Sequence, residues 1–172
     1  DAFMSASNLG LVLENQGRLR EAQQLYQEAR RGLLQLLGAD SPSTLSATFN
    51  LASALVQEAS APALVEAEQL HREALAGRER VFGLYSTQAE ESRQALAAVL
   101  LRGRPREAEA LQRATLMARP GAADRGIVQA QSALAQALRL QGRLAEAATH
   151  FEMAYELCRK LGGSEGPNTL AA

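Results

Sequence analysis

Tryptophan is absent from this chain, and aromatic residues supply only 4% of it. A core made under that restriction has to come from many Leu, Ala and Val side chains at close range, the chemistry of helix packed on helix. Cys158 is the single cysteine, so no internal disulfide forms. No histidine stands at metal-ligand spacing beside it, so a reducing compartment, the cytoplasm, is expected. No run of about 18 apolar residues occurs, which argues against a helical membrane span. Residues 1–8 lack the basic start and apolar stretch of a signal peptide and read as a cut inside a longer polypeptide. Charge of one sign is missing too, with 18 basic residues against 19 acidic ones and a net charge of -1. Nucleic acid is therefore not an expected partner, since its recognition needs a basic excess along one face. Lys160 is the only lysine, and the arginines are scattered rather than blocked.

What the chain does have is repetition. Gly17-Arg18-Leu19-Arg20-Glu21-Ala22 returns as Gly103-Arg104-Pro105-Arg106-Glu107-Ala108 and as Gly142-Arg143-Leu144-Ala145-Glu146-Ala147, with a degenerate copy at Glu66-Ala67. The Glu-Ala pairs are 45, 41 and 39 residues apart, a period that marks a stacked array rather than one globular core. Each copy reads as two amphipathic helices around a turn. Leu9, Val12 and Leu13 share one stripe, and Ala22, Leu25, Tyr26 and Ala29 share the next, at the spacing of a helix face. The pattern predicts helices over 3–16, 20–37, 43–58, 63–82, 86–102, 105–118, 124–141 and 144–161. Gly17, Gly103 and Gly142 are expected to turn the chain in the left-handed conformation that ends a helix. The connector from Leu37 through Pro42 to Leu45 is matched by the one from Gly162 through Pro167 to Leu170. A further unit is thus expected to begin at 168–172. Between Gln57 and Pro62 the compact glycine turn is replaced, which predicts a loop about three residues longer.

These residues carry a resemblance. Leu9-Gly10-x-x-Leu13, Gly17, Ala22-x-x-x-Tyr26 and Leu134-Ala135-x-x-Leu138, Gly142, Ala147-x-x-x-Phe151 resemble the tetratricopeptide repeat (TPR). The standard unit has ~34 residues. The longer period here, with Asn50-Leu51-Ala52 and the Ser-Pro-x-Thr-Leu connector, is similar to the kinesin light chain subclass. HEAT-type arrays have units of ~40–47 residues, but the glycine turn and the Ala-x-x-x-aromatic pairing favour TPR. The resemblance implies an all-α, right-handed superhelical solenoid of antiparallel helix pairs, about four repeats and eight helices. A single array over 1–172 is expected, with repeats at 3–40, 43–83, 86–121 and 124–163. Gly10, Ala52, Ala135, Ala22, Ala67, Ala108 and Ala147 are expected where helices cross closely, because a larger side chain there would force them apart at about 1–3 kcal/mol.

The resemblance also implies a function: a non-catalytic module that binds a peptide segment of a protein partner along a groove lined by the first helix of each unit. Kinesin light chain-like adaptor scaffolding is included in that expectation. By family register the groove residues are Leu11, Asn15, Phe49, Asn50, Ser53, Gln57, Arg93, Ser132, Gln136 and Arg139, with Gln94 the alternative to Arg93, because alignment on Gly103 puts Leu96 at the Gly/Ala position and a one-residue deletion that places Ala97 there fits better. Met4, Ser7, Glu14, Ser46, Val56 and Gln129 lie at outward positions beside them. Capture of a chaperone tail carboxylate is disfavoured, because Ser7 and Leu11 stand where that site carries Lys and Asn. Neither cofactor nor metal is expected, and no membrane. His71 takes the aromatic position of its unit and reads as a helix-contact residue, His150 as a near-surface one, and Cys158 as a structural thiol. The alternative is an architectural segment that self-associates through exposed ends near Phe3, Leu161 and Leu170.

Overall fold

The computed structural model describes residues 2–164, among which there are eight helices and no strand. They are α1 (Ala2–Asn15), α2 (Leu19–Leu37), α3 (Pro42–Glu58), α4 (Ala61–Phe82), α5 (Thr87–Leu101), α6 (Pro105–Ala118), α7 (Arg125–Leu140) and α8 (Leu144–Ser164). Every bound lies within three residues of the sequence expectation. The chain divides between Val99 and Leu100 into two compact units. In the first, α1 packs on α2, α2 on α3, α3 on α4, and α1 also meets α3; in the second, α6 packs on α7 and α7 on α8.

Small residues set the helix spacing. Ala22, Ala52, Ala67, Ala108 and Ala135 are fully buried, and Ala147 nearly so. A Cβ on Gly10 would stand 2.8 Å from the Tyr26 ring, so α1 reaches α2 only because that position has no side chain. Two further glycines do the same work unannounced by the repeat motif: a Cβ on Gly32 would meet the Phe3 ring at 2.4 Å, and one on Gly77 would meet Leu45 at 2.3 Å. Phe3 is consequently inserted over Gly32, packed with Ala29, Leu33 and Ala47. The exposed apolar residues of α1 are instead Met4, Leu9, Leu11 and Val12. Leu170 falls outside the described residues.

Two turns correct the sequence reading. Gly17 and Gly142 are left-handed, at φ 77° and 78°, whereas Gly103 is not. The Arg18 amide donates across Gly17 to the Leu13 carbonyl at 2.9 Å, and the Arg143 amide across Gly142 to Leu138 at 3.0 Å, five residues back in both cases. At the third turn the Arg104 amide reaches Leu100, four residues back, at 2.7 Å. One residue fewer separates the last core leucine from the glycine there, so the left-handed step is not needed. The predicted long loop after Gln57 is also not found. Ala59 takes the left-handed position itself at φ 58°, and Ser60 caps α4 by accepting from the Ala63 amide at 3.3 Å. The extra residues extend the start of α4, which has 22 residues against 19 in α2.

Candidate peptide-binding groove

α1 and α3 lie side by side, and polar side chains tie their outward faces together. The Asn50 amide donates to the Ser7 hydroxyl at 3.5 Å. The Gln57 amide donates to the Glu14 carboxylate, which also accepts from the Tyr26 hydroxyl at 2.7 Å. Burial first, then the bond to Glu14 and its charge, push the Tyr26 phenol far above its ordinary pKa. On this face Leu11, Asn15 and Gln57 are exposed, while Asn50 and Ser53 are half-buried. Beside Asn50 a cleft of about 240 Å³ opens, with Met4 and Leu33 supplying apolar surface and Ser7, Asn8, Ser43 and Ser46 a polar rim. Pro42 at the first turn of α3 completes the wall. Outward register pointed to Met4, Ser7 and Ser46. Ser43 and Leu33 come from a helix start and a second helix, which first-helix register does not reach.

Two expected groove residues serve other contacts. Phe49 is half-buried, its ring edge-on to His71 at 5.4 Å and 66°, with the Arg78 guanidinium 4.3 Å above it. It braces α3 against α4. Arg93 is 6% exposed; it donates to Glu79 and Glu90 at 2.7 Å each and to the Leu84 carbonyl at 3.0 Å. Its charge is spent on the α4–α5 contact, not offered to a ligand. The cause is register: Leu96 and Ala97 are buried like Leu51 and Ala52, which sets Arg93 level with buried Thr48 and puts Gln94 at the outward position held by Phe49. Arg78, 5% exposed, is likewise held by Glu91, Ser92 and the Gln88 carbonyl, at 2.9, 2.9 and 3.0 Å.

In the second unit Gln136 and Arg139 are exposed and Ser132 half-buried along one face of α7. The unit also holds a charged knot, in which Glu109 accepts from Arg113 and Arg143 at 2.8 Å and from Gln141 at 2.8 Å. Burial opposes the Glu109 charge, but the bonds from Arg113, Gln141 and Arg143 prevail and hold its pKa down at about 2. The turn arginines pair locally: Arg104 meets Glu107 at 3.4 Å, and Arg143 forks onto Glu146 at 2.7 and 2.6 Å, as Arg18 does onto Glu21.

The tetratricopeptide repeat signature matches residues 1–61 and 126–172, and a second signature of that description matches 64–90. The chain belongs to the tetratricopeptide repeat family. A search of curated proteins by sequence finds no match. Among solved structures, BtubC (BKLC) from P. vanneervenii superposes with a TM-score of 0.80 at 18% identity, over 97% of this chain and 66% of that one. A Podosopora anserina protein named for kinesin light chain, with nearly identical TPR-like repeats, gives 0.82 at 21% identity over 92% and 76%; a single-residue variant of it gives 0.83. The fold is thus that of the TPR-like repeats of kinesin light chain-type proteins. The chain spans about two thirds of BtubC.

The tetratricopeptide scaffold explains its few titratable oddities. His71 is 1% exposed, at the repeat position of Tyr26, and burial followed by the Arg78 charge lowers its pKa to about 4. His150 is half-buried and bonds Gln131 at 2.6 Å. Cys158, expected to be structural, is exposed, because no described helix covers that part of α8. It lines a cleft of about 360 Å³ with Val128, Gln129 and Leu161. Among the described residues no group of His, Cys, Asp and Glu is placed to hold a metal ion, and no helix is long and apolar enough to cross a membrane.

Proposed function

We propose that this tetratricopeptide chain is a non-catalytic protein-interaction module that holds an extended segment of a partner polypeptide on the α1–α3 face. The carrying observation is the cleft between Met4, Leu33 and Asn50: apolar surface for one side chain, ringed by Ser and Asn groups able to bond the backbone of the segment that carries it. The helices beside it are already packed, so the scaffold loses little freedom on binding. The segment it suits is uncharged or basic. Glu14, at the end of this face, is met by the neutral donors Gln57 and Tyr26, while Arg78 and Arg93 are neutralised by their own glutamates. An adaptor role in the cytoplasm, of the kinesin light chain kind, fits this reading and draws support from the likeness of fold. On α7, Ser132, Gln136 and Arg139 are proposed as a separate contact face of the second unit.

Selection of displayed peptides against the 172-residue chain tests the proposal, with Asn50→Ala and Ser46→Trp as controls. One short motif should be enriched, and both variants should bind it at least tenfold more weakly while keeping the helical circular dichroism of the parent. Enrichment of the same motif on the variants, or of none on the parent, would sink the groove reading.

A further inference from the structure

Two bonds between α1 and α3 set a scale along the groove. Asn50 meets Ser7 and Gln57 meets Glu14, and the partners are 43 residues apart in both pairs. The two helices therefore run parallel, and the pairs stand seven residues, about 10.5 Å, apart along them. At one end is the cleft of about 240 Å³, lined by Met4, Leu33 and uncharged polar groups; at the other is the Glu14 carboxylate. This face is open on inner repeats too. On α3, packed by α2 and α4, Ser46 and Ser53 take the positions of Met4 and Leu11 and are exposed and half-buried, and on α7 the matching Gln129 and Gln136 are exposed. The flank that a neighbouring repeat covers is a different one, which on α3 carries Leu51 and Ala54 at 2% and 0% exposure.

Glu14 stands where a carboxylate is disfavoured without a cation. It is the penultimate residue of α1, at the negative end of the helix, and neither α1 nor α3 has a basic residue in its last turn; α3 ends on a second carboxylate, Glu58. Among the described residues Glu14 is bonded only by neutral groups, the Gln57 amide and the Tyr26 hydroxyl. Arg18, close by in the chain, is held by both oxygens of Glu21 at 2.7 and 2.6 Å. Glu58 is likewise met by neutral donors, Gln23 at 3.1 Å and Ser60 at 2.9 Å. The charge belongs to this repeat and not to the fold, since the residues matching Glu14 are Val56 on α3 and Arg139 on α7.

Granted the groove proposed above, we infer that the partner segment it holds carries a large apolar residue and, three positions from it, a lysine or arginine. The apolar side chain fills the cleft and the cation pairs with Glu14. A chain in the polyproline II conformation rises ~3.1 Å per residue and turns every third residue to the same side, so three residues cover about 9 Å and the long basic side chain spans the remainder. The pair is charge-assisted and takes the place of the Gln57 donor, which is exposed and turns to water. An acidic residue at the same point of the segment is repelled.

Displayed peptides selected in parallel on the 172-residue chain and on Glu14→Gln separate this inference from the groove reading. Glutamine keeps the shape and the acceptor that Tyr26 uses and removes the charge, and circular dichroism checks that the variant folds. Peptides enriched on the parent should pair a large apolar residue with Lys or Arg three positions away; on Glu14→Gln the apolar residue should persist and the basic preference vanish. One enriched peptide, synthesised with a fluorescent label, should bind Glu14→Gln about fivefold more weakly by anisotropy, the size of a half-buried ion pair. Replacing its basic residue by Ala should weaken binding to the parent and cost nothing further on the variant. Enriched peptides with no basic residue at that spacing, with an acidic one there, or with the same basic preference on Glu14→Gln overturn this inference and leave the groove reading standing. No enrichment on the parent sinks both.

Discussion

At the position that Tyr26 and Phe151 hold in their own repeats, His71 puts an imidazole where the fold has room for a ring and none for a charge. It is buried to 1%, its Nδ1 has no hydrogen-bond partner, and Phe49 and the Arg78 cation stand against it. A histidine whose folded pKa is about 4 against ~6.5 unfolded is neutral in both states above pH 6.5. As pH falls from 6.5 to 4 only the unfolded chain takes the proton, so stability drops across that window, by on the order of 3 kcal/mol in the limit. His71→Phe should remove this slope and leave the variant at least as stable at pH 7, since it also removes the unpartnered nitrogen. Urea midpoints from pH 7 to 4 read it; parent and variant falling in parallel would clear His71. Carboxylates such as Glu109 lose their contribution lower, as pH falls toward 2, and act equally in both proteins.

Helix ends are where the repeat was both most and least legible. Gly17 and Gly142 announced left-handed turns correctly, because four residues separate each from the last core leucine. Ala59 has that spacing from Leu55, and the chain makes the turn there with a Cβ in place, at φ 58°. An L-residue in that conformation costs about 1–2 kcal/mol, while Gly gives back roughly 0.4–1 kcal/mol through the freer unfolded chain. Ala59→Gly should therefore stabilise by about 0.5–1 kcal/mol, seen as a higher thermal midpoint. A loss instead would mean that the turn relaxes to negative φ in solution. The pattern of Leu, Gly and Ala specified helices and close crossings because both follow from local spacing. It left Arg93 and Gln94 as alternatives for the outward position, since a one-residue shortening before Gly103 leaves the leucine pattern intact; the burial of Leu96, Ala97 and Arg93 decides for Gln94. Nor did it show that Phe49 braces His71, because an outward register position says nothing of how far a large ring leans back.

Across the whole molecule, stability in a repeat array is a sum of each unit and its contacts with neighbours, so burial per helix predicts where the chain opens first. α3 buries Thr44, Leu45, Ala47, Thr48, Leu51, Ala52, Ala54 and Leu55, whereas α1 buries only Gly10 and Leu13. In the second unit α7 buries Ile127, Ala130, Leu134, Ala135, Ala137 and Leu138, while Ala147 and Ala154 are the buried hydrophobics of α8 among the described residues. In dilute solution, amide hydrogen exchange should be slowest in α3 and α7 and at least about tenfold faster in α1 and α8, the difference expected when end helices open without unfolding the rest. Uniform protection would instead mean that each unit opens as one block, despite the uneven burial.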